Sequence, residues 1–263
     1  MNNAPRAPIA EIRDLGHAWV PQQWVFRHYS AAIAPGSIFA ILGPNGRGKS
    51  TLLQILMGVL KPGEGQASVH ATTGFVPQLF QPGFPYTVLD MVLMGRTRRI
   101  KLLASPSRAD EQAALDALAQ MGLADQRRQP FDQLSGGQRQ LVIFARALAS
   151  EARLLLLDEP TSALDLRNQA LVLEHIHRLS REQGLSIIFT THHPHHAQAV
   201  ADAALLMMGA ETFITGPADQ VLTPANMQAL YGVPMREACF DFDGQRHSTL
   251  APVLLPSARR QQR

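Results

Sequence analysis

The sequence predicts an α/β fold built on a largely parallel sheet. Three observations lead there. A strand-like block runs into a glycine-rich loop and a helix; two apolar runs, Arg153 to Asp158 and Leu185 to Thr191, flank the amphipathic segment Leu166 to Gln183; and the middle of the chain repeats its apolar residues at helical spacing. Short apolar strands alternating with amphipathic helices bury both sheet faces, the doubly wound pattern.

Taken in order, Ile9 to Trp19, Val25 to Ile33 and Ser37 to Leu42 read as extended, the last pair separated by the Pro35-Gly36 turn. Lys49 to Leu60 has helical spacing and stops at Lys61-Pro62-Gly63. Val69 to Pro77 is extended again, and helices are predicted over Thr87 to Gly95, Arg108 to Met121 and Gly137 to Ser150, with Ser107 as an N-cap. Only Met1 to Pro8 and Ser257 to Arg263 read as unstructured, and no internal repeat is visible.

At 263 residues, with 46% hydrophobic and 17% charged residues, the chain can bury one full core and lacks the polar signature of disorder. No run reaches the ~20 apolar residues of a spanning helix, and the stretch Ala199 to Ala210 is broken by Asp202. Met1 to Asp14 lacks the layout of an export signal, and the single cysteine, Cys239, cannot form an internal disulfide. A reducing cytoplasm is expected. The net charge of +3 is mild, and the basic runs Arg96 to Lys101 and Arg259 to Arg263 read as solvated surface, so no nucleic-acid partner is expected.

Gly43-Pro44-Asn45-Gly46-Arg47-Gly48-Lys49-Ser50, followed by Thr51, fits the pattern G-x-x-x-x-G-K-[ST] between a strand and a helix. The glycines allow backbone N–H groups to converge on a polyphosphate, and the helix N-terminus adds partial positive charge. Lys49 is expected to reach the β and γ phosphates and Ser50 to ligate Mg²⁺. Leu154 to Leu157 form a buried strand that presents Asp158 to the Mg²⁺ shell and Glu159 to a water attacking the γ-phosphate. Ser135, Gly136, Gly137 and Gln138, within Leu134 to Gln140, open a helix and form a second anion-binding N-terminus. One nucleotide has no need of two such cradles, so the second is expected to serve a partner's nucleotide.

With these motifs in order from about Ile9 to Thr215, the chain resembles the ABC transporter ATPases. The resemblance implies a P-loop NTPase fold with a RecA-like parallel-sheet core, an N-terminal antiparallel β subdomain and a helical signature subdomain. It implies a nucleotide-binding domain over 1–236, its helical part at about 79–150, and a short extension and tail over 237–263. It also implies a homodimer that sandwiches two ATP molecules, each between the P-loop of one subunit and the signature of the other. Trp19 stands where the family stacks an aromatic on adenine, and Gln78 matches the glutamine that contacts Mg²⁺ and the attacking water. Asp165, in Ser162-Ala163-Leu164-Asp165, matches a dimer-interface loop, with a helix N-cap as the plainer role. His192 matches the switch histidine on the γ-phosphate, and by strand pleat His193 is expected to point away from it. His193, His195 and His196 crowd nearby, but Pro194 interrupts them and a metal site is not expected. Arg47 departs from the small residue usual in the family.

Three further stretches resemble importers of metal chelates and oxyanions, whether iron siderophore, haem, cobalamin or molybdate: Val88 to Arg96, Thr191 to Pro194, and Leu222 to Pro234. The implied partners are integral membrane permease subunits and, indirectly, a substrate-binding protein, with the chain peripheral on the cytoplasmic face of the inner membrane. An exporter ATPase shares every catalytic motif and remains the alternative. A soluble ATPase acting on ribosomes or DNA fits less well, because there is one cassette and no long insertion between Lys49 and Ser135. Pro82, Gly83 and Pro85 predict a loop before Thr87, where Phe80, Phe84 and Tyr86 offer aromatic surface to a permease helix.

Overall fold

The computed structural model describes residues 7–101 and 104–254; most of the predicted unstructured start and all of the predicted tail lie outside them. Three strands, β1 (Ala10–Val20), β2 (Gln23–Ile33) and β3 (Ile38–Leu42), lead to helix α1 (Lys49–Leu56). The predicted helix runs on to Leu60, but the chain leaves helical geometry after Leu56, and Gly58 adopts a left-handed φ of 74°. The predicted extended stretch Val69 to Pro77 holds β5 (Thr73–Val76) but only the last residue of β4 (Glu64–Val69), a strand the sequence did not predict, and the two strands join different sheets. Glu64 to Ser68, with no large apolar residue, carries no alternation that would mark β4.

The first sheet has the order β2-β1-β4, all antiparallel. The main sheet adds β6 (Leu154–Leu157), β7 (Ser186–Thr191), β8 (Ala203–Met207) and β9 (Phe213–Pro217) in the order β5-β6-β7-β3-β8-β9, parallel except for β9. Its central strands are buried on both faces, and their residues alternate between two cores. Leu155 and Leu157 pack with Leu42, Ile187 and Phe189 on one side, while Leu154 and Leu156 pack with Ile41, Ile188 and Leu205 on the other. The period-2 pleat therefore turns four consecutive leucines into two layers of core.

The helical region comprises α2 (Val88–Leu93), α3 (Arg108–Gln120) and α4 (Gly136–Ala149). Each begins with a capping box, Thr87 with Asp90, Ser107 with Asp110 and Ser135 with Gln138, so the orphan amides of the first turn are satisfied locally. Arg96, expected on a solvated face, instead locks this region from inside: the residue is 4% exposed, and its guanidinium pairs with Asp110 and donates to the carbonyl of Ala149 at the end of α4. Helix α5 (Leu166–Gln183) crosses between β6 and β7, as its amphipathic pattern predicts, and Gly184 ends it in a left-handed cap.

After β7 come α6 (Pro194–Val200), α7 (Ala218–Val221), α8 (Pro224–Tyr231) and a hairpin of β10 (Met235–Phe242) and β11 (Gln245–Pro252). Gln198 on α6 accepts from Leu250 N, and Leu250 is buried, so the hairpin is docked on the domain. No helix among the described residues is long and apolar enough to cross a membrane.

Candidate functional site

The end of β3 becomes a phosphate-type loop because Gly48, the N-cap of α1, sits at φ 95° with β2 directly behind it. A Cβ there would lie 2.4 Å from Val25 Cγ1, so only glycine lets the loop lie this close to the strand. Lys49 is buried, and its Nζ donates to the carbonyls of Gly43 and Pro44 at 2.9 and 3.2 Å. It also stands 3.1 Å from Glu159 Oε1.

Asp158 and Glu159 follow β6 at the carboxyl end of the sheet, both buried. Thr190 Oγ1 donates to Asp158 Oδ1 at 2.7 Å and accepts from Glu159 N at 2.8 Å. Glu159 takes a φ of 44°, and its carboxylate gathers three side chains: Lys49, Gln78 Nε2 at 3.3 Å and His192 Nδ1 at 3.0 Å. A carboxylate only accepts, so His192 carries its proton on Nδ1 in this contact. Gln78 donates a second bond to Ser162 Oγ at 3.2 Å.

A cavity of about 450 Å³ runs along this cluster from Trp19 and Val25, past Asn45, Gly46, Gly48, Lys49, Ser50 and Thr51, to Gln78 and Glu159. Its size falls in the range of small-molecule sites. Trp19 is 62% exposed at one end, steadied edge-on by the buried ring of His17 at 4.7 Å. Arg47 is half-buried behind the loop, where its side chain would meet a Cβ on Gly43.

Ser135, Gly136, Gly137 and Gln138 lie elsewhere. Ser135 Oγ accepts from Gln138 N, and none of these four lines the cavity at Lys49; Gly136 instead borders a smaller cleft with Gln78, Glu159 and Leu164. Gly137 is pressed against Asn168, where a Cβ would stand 2.4 Å from the amide carbon. Asn168 in turn binds Asp165, the N-cap of α5, through its backbone N at 2.8 Å and Nδ2 at 3.0 Å. The structure thus couples Asp165 to the signature turn through a residue that sequence reasoning missed.

The neighbouring histidines lie ring beside ring, their planes tilted by 41°, instead of diverging. The strand ends at Thr191, so the pleat stops there, and the ring of His193 lies 4.1 Å from that of His192. This corrects the expectation that His193 turns away. Burial pushes His193 and His195 below the ordinary imidazole range, and it takes His196 down to about 3, assisted by the neighbouring imidazoles. His196 Nδ1 lies 3.1 Å from Thr161 Oγ1. Burial, with the charge of Glu159 adding to it, raises Tyr231, whose hydroxyl has no partner among the described residues.

A glycine loop on α1, an acidic pair after β6 and a glutamine and a histidine meeting on one glutamate define a nucleotide-hydrolysing P-loop cassette. The model of the ABC transporter family matches residues 26–162, and the chain belongs to that family as an ATP-binding, ATP-hydrolysing subunit. It is 43% identical over 226 residues to the molybdate import ATP-binding protein MolC of Haemophilus influenzae, covering 86% of this chain and 89% of the relative. An ATP-binding protein assigned to iron chelatin transport in Helicobacter pylori is 33% identical over 248 residues, covering 89% and 96%. Among solved structures, a chain of an inward-facing ABC transporter assigned to the metal-chelate type superposes with a TM-score of 0.90 at 40% identity, covering 94% of this chain and 98% of the other.

Proposed function

We propose that this chain is the ATPase subunit of a membrane importer for a metal chelate or an oxyanion, acting as a homodimer bound to permease subunits on the cytoplasmic face of the inner membrane. The observation that carries the reading is the convergence of Lys49, Gln78 and His192 on Glu159 in a chain so similar to a molybdate import protein.

Lys49 and the loop amides would bind the β and γ phosphates, and Trp19 would stack on the adenine face. The oxygen donors available, Ser50 Oγ, the Asp158 carboxylate and the Gln78 amide, suit a hard cation, and Ser50 and Gln78 border the cavity. Mg²⁺ bound by them would neutralise charge gathering on the phosphates. Glu159 would take the proton of the attacking water, and His192 and Gln78 would hold its carboxylate in place.

The separation of the Ser135 turn from the Lys49 cavity within one chain supports a two-fold partner that supplies the signature in trans. The exposed Phe84 and the groove beside it, about 380 Å³ in volume, support a permease contact. Purification from its native membrane, identification of the co-purifying permease and binding protein, and ATP-driven uptake in proteoliposomes test the reading. Uptake of none of molybdate, an iron siderophore, haem and cobalamin, or ATP-driven extrusion, would overturn it.

A further inference from the structure

Strand β7 is central and buried on both faces, a place for valine or isoleucine, yet it ends in Thr190 and Thr191. Thr190 is fully buried, where a hydroxyl is costly unless it is bonded. It has one proton to give and lone pairs to receive another. The proton goes to Asp158 Oδ1, and Glu159 N–H comes in, so one oxygen atom holds the carboxylate of the first acid and the backbone of the second.

That second bond falls where the chain is strained. Glu159 has a left-handed φ of 44°, a conformation a non-glycine residue keeps only when its surroundings fix it. The turn decides where the Glu159 carboxylate points, and so whether Gln78 and His192 can reach it together. Thr190 itself does not border the cavity, so anything it contributes passes through its two neighbours.

We propose that Thr190 is a positioning residue of the ATPase centre: its hydroxyl sets the Asp158 carboxylate for the metal and locks the turn that aims Glu159. The inference rests on the roles given above to Asp158 and Glu159. Gln78 and His192 act on the Glu159 side chain; Thr190 acts beneath both acids at once.

The test compares Thr190→Val, Thr190→Ser and Glu159→Gln in the full chain. ADP binding is measured by calorimetry with and without Mg²⁺, alongside ATP turnover and hydrogen exchange of segment 158–162. The valine variant should bind metal-free ADP as the parent does, but lose about 10- to 100-fold of the gain in affinity that Mg²⁺ brings, the range for removing the outer partner of a metal-holding group. Its kcat should fall by a similar factor with KM little changed, and exchange at 158–162 should quicken. Serine, which keeps the hydroxyl, should restore all three. Normal Mg²⁺ dependence and turnover in the valine variant, beside an inactive Glu159→Gln, overturns the inference. An active Glu159→Gln overturns the reading beneath it. Equal losses with valine and serine would reduce Thr190 to packing and also overturn the proposal. If valine yields no folded protein, Thr190→Cys carries the same measurements, because its thiol fits the space and donates only weakly.

Discussion

Lys49 Nζ and Glu159 Oε1 stand 3.1 Å apart, with side chains 5% and 10% exposed, so the phosphate-loop cation and the proposed general base hold one another out of water. A polyphosphate that takes up Lys49 competes with Glu159 for the same charge. A buried pair is sensitive to the removal of either member, because the one left behind is uncompensated.

Glu159→Gln removes the competing charge but keeps a side chain of nearly the same shape. The variant should bind ATP at least as tightly as the parent and lose ~10²-fold or more of its hydrolysis, as expected for loss of a general base. With hydrolysis blocked, the sandwich should persist, and size-exclusion chromatography in Mg-ATP should show a dimer. A monomer at every nucleotide concentration would count heavily against the two-fold arrangement.

His192→Ala should keep ATP affinity and lose turnover, because it removes the Nδ1 contact 3.0 Å from Glu159 Oε2. His193 touches His192 only through a tilted ring contact, so His193→Ala should cost less than about tenfold, on the order of a support lost and not a catalytic contact. Steady-state kinetics on the two variants separates them. Equal losses would mean the switch residue is wrongly assigned.

Much of this was legible in the sequence, because it is written in local patterns. α5 begins and ends where its periodicity predicts, and Ser107 caps α3 as read, with Asp110 completing the box. The loop Gly43 to Ser50 lies on the strand-to-helix turn its pattern requires. What the sequence hid depends on contacts between distant segments. Thr190 meets Asp158 across 32 positions, and Asn168 presses on Gly137; neither pair leaves any periodic trace. The orientation of His193 failed for a related reason, since the end of β7, not the pleat, decides it.

His196 lets stability be read against pH. Its folded pKa, pushed down to about 3 by burial and then by His195, His193 and His192, lies below the unfolded imidazole value near 6.5. The unfolded chain therefore binds the extra proton first. The stabilisation from this site is complete above about pH 6.5 and is lost as pH falls toward the folded value, by up to about 1.4 kcal/mol per pH unit. Thermal unfolding from about pH 7.5 to 5, on the upper side of that window, should show a falling midpoint. His196→Asn keeps a polar partner for Thr161 but cannot protonate, and it should flatten that slope; an unchanged slope would assign the acid sensitivity to other groups.

The loop before α2 holds two kinds of aromatic residue. Phe80 is partly buried: its ring lies beneath the guanidinium of Arg146 at 4.4 Å and edge-on to Phe131 at 6.4 Å, and so belongs to the packing of α4. Tyr86 is fixed by its carbonyl, which accepts from Phe131 N at 2.9 Å. Phe84, in contrast, is 71% exposed, touching Tyr86 only edge-on at 6.2 Å, and it stands on the rim of the groove formed with Pro82, Phe131 and Arg139. An exposed aromatic on the rim of a groove that mixes apolar and charged side chains is the kind of anchor that protein interfaces use. The groove begins two residues after Gln78, so a permease helix seated there would move with the glutamine that touches Glu159. Phe84→Asp should fold normally, since it removes little buried surface, and bind ATP as the parent does. It should nevertheless fail to co-purify with the permease and abolish uptake in proteoliposomes. Normal assembly and transport by this variant would place the contact elsewhere, and loss of ATP binding by the isolated subunit would show that Phe84 supports the fold.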